Sequence, residues 1–130
     1  MGIVYHSHYL DYFEAARTEA LREMGLTYRT LEDSGVIMPV TELSIRYRRP
    51  AYYDDVLQIT TSLDARPPRT RVRFDYEIHR DGEPELIADG RVTLCFVDRS
   101  RNRPIAAPEE VIRVFNSTRQ ADGRPPEQTR

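Results

Sequence analysis

The residues with the clearest capacity for chemistry lie at the very start of the chain. Gly2 precedes a short apolar run, and His6 follows that run, directly before a segment with helical periodicity. Glycine allows close backbone approach, and the N–H groups at a helix start can donate to an electron-rich atom. The His6 imidazole, whose ordinary pKa lies close to neutrality, could accept or donate a proton or position a carboxylate. The pattern therefore predicts a reactive site at this helix entrance.

A purely structural role would also account for the polar side chains near this entrance and in the loops. His6 could cap the helix or fill an interface. Glu14 and Arg17 are three residues apart, which favours a helix-surface ion pair. Asp54 and Asp55 follow a proline corner and are expected to shape the loop there. The sequence has no metal-ligand spacing, glycine-rich phosphate loop or Ser-His-Asp order, so we predict neither a metal site nor a cofactor.

The composition is that of one globular domain with a well-charged surface. The 130 residues are 39% hydrophobic and 31% charged, and the net charge of −2 favours neither nucleic acid nor a membrane surface as a partner. All 19 basic residues are arginine, so any cationic side chain that contacts phosphate must be an arginine. No apolar run is long enough to span a bilayer. The single cysteine, Cys95, suits a reducing compartment, and we expect a cytoplasmic protein.

The hydrophobic pattern changes its period along the chain. Over 7–24 apolar residues recur at helical spacing, with Ser7 as the expected N-cap and Gly25 as the stop. A short second helix is expected over 27–34. After Pro39 the period becomes 2, which predicts half-buried strands. These strands cover 43–47, 57–63, 70–79 and 86–97.

One long helix followed by antiparallel strands predicts an α+β layer, with the helix packed on one face of the sheet. A brief last helix is expected over 108–115. Residues 116–130 are polar and contain a proline pair, so we expect a disordered C-terminal tail after a single domain over 1–115. Long strands leave exposed edges, which makes a second copy of the chain a reasonable partner.

Four segments together resemble one known family. They are residues 2–9, 13–17, 47–55 and 92–98, and they occur in the family's order. The resemblance is to the 4-hydroxybenzoyl-CoA thioesterase-like (YbgC-type) acyl-CoA thioesterases. It implies the hotdog fold, in which an antiparallel β-sheet wraps a long central helix, and a homodimer or homotetramer. It also implies the reaction, in which an acyl-CoA and water give a carboxylate and free CoA.

The resemblance further implies roles for residues near the helix entrance. A backbone N–H near His6 would polarise the thioester carbonyl, and Gly2 would let the substrate approach closely. We take Gly2, Tyr5 and His6 as the catalytic candidates and Tyr9 as a substrate contact. The family also has an aspartate, three residues before the position of Gly2, that acts as nucleophile or general base. That position precedes Met1, so we expect a late start codon or a shortened chain rather than a degenerate family member, and better hydrolysis by an extended form.

CoA carries phosphates, so arginines near the site entrance are expected. Arg69, Arg71 and Arg101 are the candidates, although a solvated strand face or loop would explain any single one of them. Two other functions stay open for such a fold. A non-catalytic module would bind acyl thioesters or act as an assembly unit, and a hydratase would add water to an enoyl thioester. No Asp and His pair suited to that addition stands out, so hydrolysis is the preferred prediction.

Overall fold

The computed structural model describes residues 6–63, 68–122 and 127–129, with side chains over 8–63 and 68–116. Its helices are α1 His6–Glu23, α2 Tyr28–Asp33 and α3 Glu109–Asp122. Its strands are β1 Val36–Ile37, β2 Val40–Tyr47, β3 Leu57–Leu63, β4 Arg71–Arg80, β5 Leu86–Cys95, β6 Val97–Asp98, β7 Arg103–Pro104 and β8 Glu127–Thr129. The long helix precedes the strands, as the sequence predicts.

The strands form two antiparallel sheets. The larger sheet has the order β2-β5-β4-β3-β8, and β1, β6 and β7 form a small second sheet. At the centre of the larger sheet Phe74 of β4 lies opposite Val92 of β5, and Tyr76 lies opposite Gly90. A tight turn joins β4 to β5, and its Gly82 has a φ of +79°, which glycine adopts without strain.

The helix α1 packs on one face of the larger sheet. The β4 side chains Val72, Phe74, Tyr76 and Ile78 are at most 4% exposed, which confirms the alternation predicted for this strand. Phe13 of α1 stacks on Tyr76, with ring centroids 4.4 Å apart and ring planes 9° apart. Because side chains alternate along a strand, the intervening polar residues of β4 lie on the face away from α1.

The predicted end of α1 is correct, whereas its predicted start is not. The predicted stop is confirmed, because Gly25 has a φ of +92° and the Leu26 N–H donates to the Leu21 carbonyl at 2.9 Å. This is the bonding pattern of a helix that ends in a left-handed residue. The start is earlier than predicted, because α1 begins at His6 and the expected N-cap, Ser7, lies within the first turn.

The strand predicted over 86–97 is divided at Phe96, so the prediction of one continuous strand is wrong. The Phe96 N–H donates to the Thr70 carbonyl at 3.0 Å, and the Phe96 carbonyl accepts from the Ile105 N–H at 2.8 Å. Its side chain is fully buried at 0% exposure. The chain passes here from the larger sheet to the smaller one, where β6 pairs with β1 and β7.

The strand β2 forms an edge of the larger sheet and pairs there with β5. Its Leu43 and Tyr47 side chains are 47% and 51% exposed, so the predicted half-buried strand is wrong for the isolated chain. Period-2 alternation buries one face only where a second layer covers that face. The helix α1 packs over the middle of the sheet and leaves most of β2 open.

The end of the chain contains more regular structure than the sequence suggests. The sequence predicts a brief helix to Phe115 and a disordered tail. In the structure α3 continues to Asp122, and Glu127–Thr129 pairs with β3. Residues 116–122 include neither glycine nor proline, so nothing in their backbone chemistry ends the helix before Gly123. The limits of the domain, 1–115, stay a prediction.

Candidate active site

The start of α1 lies over the end of β2, in a cluster of tyrosine rings. Tyr9 is 3% exposed. Its ring centroid is 5.4 Å from that of Tyr47 on β2 and 5.8 Å from that of Tyr12 on α1. Burial, followed by the neighbouring tyrosines, raises the pKa of the Tyr9 hydroxyl, which therefore stays neutral. These contacts fix where the first turn of α1 points.

A loop between β2 and β3 forms a second wall beside this turn. The Tyr53 ring lies edge-on to the His8 ring, with centroids 5.9 Å apart and planes 69° apart. Tyr53 itself is 52% exposed, so its outer surface is open to a ligand that reaches the helix start. The start of α1 is therefore bordered by aromatic side chains from its own first turns, from β2 and from this loop.

Asp55 and Arg80 hold that loop in place. One oxygen of the Asp55 carboxylate accepts from the Tyr52 N–H at 2.9 Å and from Arg80 Nε at 3.0 Å. Arg80 Nη2 also donates to the Pro50 carbonyl at 2.8 Å. The Tyr52 N–H and the Arg80 guanidinium lower the pKa of the Asp55 carboxyl, which favours the ionised form. The prediction that Asp55 shapes the loop is confirmed.

The described part of the structure includes only one of the predicted catalytic residues, His6, and of that residue only the backbone. His6 is the first residue of α1, and its side chain lies outside the described side chains. Gly2 and Tyr5 lie outside the described residues. The backbone alone is informative, because the first four N–H groups of an α-helix have no acceptor within the helix and carry the positive end of its dipole. Among the described residues those groups belong to residues 6–8.

The arginines predicted to contact phosphate do not lie at the start of α1 in the same chain. Tyr9 packs on Tyr47 of β2. Tyr47 lies opposite Ala88 of β5, and Ala88 lies opposite Ile78 of β4, so the start of α1 lies near the Ile78 end of β4. Arg71 lies seven residues from Ile78, which corresponds to roughly 23 Å of strand, and faces the other side of the sheet. Arg69 lies beside Arg71 in a surface groove.

Arg101 is separate from both positions. It lies in the turn between β6 and β7, where its side chain is 76% exposed and its Nε is 4.0 Å from the Asp98 carboxylate. Asp98 is the organiser of that turn, because its Oδ1 accepts from the Ser100 N–H at 3.0 Å. The three arginines proposed from the sequence therefore occupy two different surfaces of the molecule.

Arg17 is buried, so the predicted surface ion pair with Glu14 is wrong. It is 7% exposed, and its guanidinium donates to the Tyr28 hydroxyl at 2.8 Å and to the Tyr76 hydroxyl at 3.1 Å. Burial raises the pKa of Tyr76 to about 12, against the opposing charge of Arg17. Spacing along α1 could not reveal this contact, because Tyr76 is 59 residues away.

Within the described ranges, no three His, Cys, Asp or Glu side chains come together as metal ligands. Nor is any described helix long and apolar enough to cross a membrane. The start of α1 offers the N–H groups of a helix N-terminus, a histidine at its first position and tyrosine rings around it.

A comparison with known families agrees with this geometry. The model of the thioesterase-like superfamily matches residues 1–115, which is most of the chain. This protein belongs to the thioesterase-like superfamily. The segments quoted above from its sequence lie inside that match, so the predicted family is confirmed.

Two named relatives align with this thioesterase-like protein over most of their own length. It is similar to the acyl-CoA thioesterase YbgC of Haemophilus influenzae, with 34% identity over 116 residues, 88% of this chain and 83% of the relative. It is also similar to the acyl-CoA thioester hydrolase YbgC of Escherichia coli O157:H7, with 31% identity over 114 residues, 88% of this chain and 84% of the relative.

Solved structures of other proteins have the same fold as this chain. The thioesterase-like protein is similar to a DHNA-CoA thioesterase from Staphylococcus aureus, with a TM-score of 0.83 and 25% identity. That match covers 95% of this chain and 83% of the solved one. The long helix on an antiparallel sheet and these neighbours together confirm the predicted α+β hotdog fold.

Proposed function

We propose that this protein hydrolyses acyl-CoA thioesters to a carboxylate and free CoA. The observation that carries the proposal is the placement of the α1 start. In a chain whose family is that of thioesterases, the free N–H groups of the first turn lie between exposed tyrosine surfaces. A thioester carbonyl bound there would meet hydrogen-bond donors and the positive end of a helix dipole.

The reaction needs charge stabilisation at one atom and proton transfer at two others. Water adds to the thioester carbon, and the oxygen that becomes negative is held by the N–H groups near His6. One such donor is typically worth ~3 kcal/mol of barrier. The His6 imidazole would take the proton from water. Collapse of the intermediate expels the CoA sulfur, which receives a proton and leaves a carboxylate.

The remaining site residues are also proposals. Tyr9 would form the inner wall beside the acyl group, because its ring is packed between α1 and β2. Because they do not lie at the α1 start of the same chain, Arg69, Arg71 and Arg101 would contact the CoA phosphates of a substrate bound to a second copy, through exposed guanidinium groups that suit bidentate contacts with phosphate. Gly2 and Tyr5 would complete the catalytic turn.

A second copy of the chain is the proposed partner. Among the described strands β2 pairs only with β5, and its side chains Val40, Leu43 and Tyr47 are exposed. Packing of this edge against its copy would cover the apolar surface, giving a homodimer or homotetramer. The cytoplasm is the proposed location, on the basis of the single cysteine, Cys95.

The test is release of free CoA, followed with a thiol reagent over a panel of acyl chain lengths. The 130-residue chain is assayed with each substrate. We expect it to release free CoA faster than the uncatalysed reaction does. Tight binding of acyl-CoA without thiol release would overturn the proposal in favour of a non-catalytic binding module. Loss of enoyl-CoA absorbance without thiol release would indicate a hydratase.

A further inference from the structure

The two sides of the larger sheet end in different ways. On one side β2 pairs only with β5 among the described strands, whereas on the other side β3 pairs both with β4 and with β8. An open strand edge presents backbone N–H and C=O groups to any other extended chain, and proteins blunt such edges with charges, bulges or a covering segment. The device that protects each side shows where the sheet could accept a further strand.

The β2 edge carries its own protection. Glu42 and Arg46 place one charge of each sign on it, and its register with β5 shifts between Val40 and Glu42. Charges and an irregular register both hinder the approach of a further strand. These features limit strand addition at β2, where the proposed homodimer depends on the packing of side chains.

The strand β3 has none of these features. Residues 56–63 include no charged residue, no proline and no glycine, and half of them are β-branched. The register of β3 with β4 runs from Leu57 to Leu63 without a shift. Uncharged segments of this length and composition readily pair with copies of themselves when an edge is open.

The strand β8 is the only described element that covers this side of β3. Its three residues, Glu127–Thr129, pair with residues 60–62. The pairing of β3 with β4, in contrast, includes all seven residues of β3. A ladder of three residues at the edge of a sheet opens more readily than the pairing of central strands. The protection of β3 therefore depends on a short segment that is distant in sequence.

We propose that β8 is a protective cover, which prevents β3 from pairing with β3 of a second copy. Two β3 strands related by a two-fold axis at Thr60 would pair antiparallel, with Leu57 opposite Leu63. Ile59 would lie opposite Thr61, and no charge would oppose another. This pairing would extend over seven residues of β3, compared with the three that β8 covers.

The cover also limits the size of the assembly. With β3 open, each copy would have one self-complementary surface at β2 and another at β3, on opposite sides of one sheet. Two such interfaces do not close on themselves, so copies would add one after another. This consequence rests on the proposed homodimer, whereas pairing at β3 does not.

The test is the mass in solution of a chain that ends at Asp122, compared with the 130-residue chain at several concentrations by size-exclusion chromatography with light scattering. We expect the shortened chain to form species of about twice the mass or more, because the uncovered β3 pairs with a second copy. Thr60→Lys in the shortened chain should restore the mass of the full chain, because two lysines would meet at the two-fold axis. Thr18→Lys is the matched control, since Thr18 is exposed on α1.

The proposal is overturned if the shortened chain has the mass of the full chain at every concentration, or if Thr60→Lys reduces the larger species no more than Thr18→Lys does. Cooperative urea unfolding shows whether the shortened chain is folded. If it is not, the full chain with Gln128→Pro and Thr129→Pro takes its place, because one of two successive N–H groups in β8 must face β3 and proline has none. An increase in mass that Thr60→Lys reverses then supports the proposal, and an unchanged mass overturns it.

These measurements do not depend on hydrolysis of acyl-CoA, so the proposed function and the proposed cover can fail separately. They also separate the cover from the proposed homodimer. If the full chain is monomeric, the homodimer is wrong, and the shortened chain should then form a dimer through β3 alone.

Discussion

Gly90 of β5 lies directly beneath the Phe13 ring of α1. A Cβ atom at position 90 would be 2.5 Å from Phe13 Cε2 and 3.0 Å from the Ser44 carbonyl oxygen. The Phe13 ring has little freedom to withdraw, because it is 1% exposed and also stacks on the ring of Tyr76. The absence of a side chain at Gly90 therefore sets how closely α1 approaches the sheet, and with it the position of the helix start.

Replacement of Gly90 by alanine should destabilise the protein by about 1–3 kcal/mol, the usual cost of forcing extra volume into a packed interior. Urea unfolding of Gly90→Ala gives the loss directly. Phe13→Leu should relieve part of it, so the double variant should be less destabilised than the sum of the single ones. Purely additive losses would mean that Phe13 is not what excludes the side chain.

Tyr76→Phe should cost more stability than Tyr28→Phe. Each removes one hydroxyl that accepts from Arg17, but Tyr76 is 1% exposed whereas Tyr28 is only partly buried. Water can replace the Tyr28 hydroxyl and cannot easily replace that of Tyr76, so Tyr76→Phe should lose about 1–3 kcal/mol. Unfolding free energies of the two variants test this order, and equal losses would contradict it.

The ion pair of Asp55 should make the stability depend on pH in the acid range. The folded-state pKa of Asp55 lies below its unfolded value of about 3.9. Between these two values the unfolded state binds more protons, so the contribution is complete above the unfolded pKa and is lost as pH falls through the folded one. Asp55→Asn should therefore be destabilising at pH 7, and its effect should fade as the pH is lowered below the unfolded-state pKa and through the folded-state one. A pH-independent effect in thermal unfolding would argue against the ion pair.

Leu43→Glu should break the proposed homodimer. It places a charge in the middle of the β2 edge, where apolar contact with the second copy is expected. Size-exclusion chromatography with light scattering should show the unaltered protein as a dimer or tetramer and the variant as a smaller species. Val56→Glu is the control, since Val56 is 66% exposed but lies outside β2. If the unaltered protein is monomeric, the proposed homodimer is wrong.

His6→Ala should lower kcat for acyl-CoA about 10²- to 10⁴-fold, the usual contribution of one general acid–base group. His79→Ala, on the face of β4 away from α1, provides a histidine change remote from the helix start. The two variants are compared by thiol release at saturating substrate. A rate for His6→Ala close to that of His79→Ala would remove His6 from the catalytic set.

Much of the fold follows from local patterns. The stop of α1 at Gly25, the short helix α2 and the buried face of β4 are all readable from spacing, because helix and strand periods act over a few residues. The break at Phe96 is not readable in this way, because it depends on bonds from Thr70 and Ile105 that only the assembled sheets provide. The exposure of β2 likewise depends on what covers it.

The sequence alone determined the family, the order of helix and strands, and the histidine at the helix start, since these depend on residue types and short-range spacing. The tertiary structure decided the burial of Arg17 and the loop contacts of Asp55. It also decided the separation of Arg69 and Arg71 from the start of α1. These features depend on the register of β4 with β5 and on which sheet face α1 covers. Both are set by contacts between residues far apart in the chain, which no local period encodes.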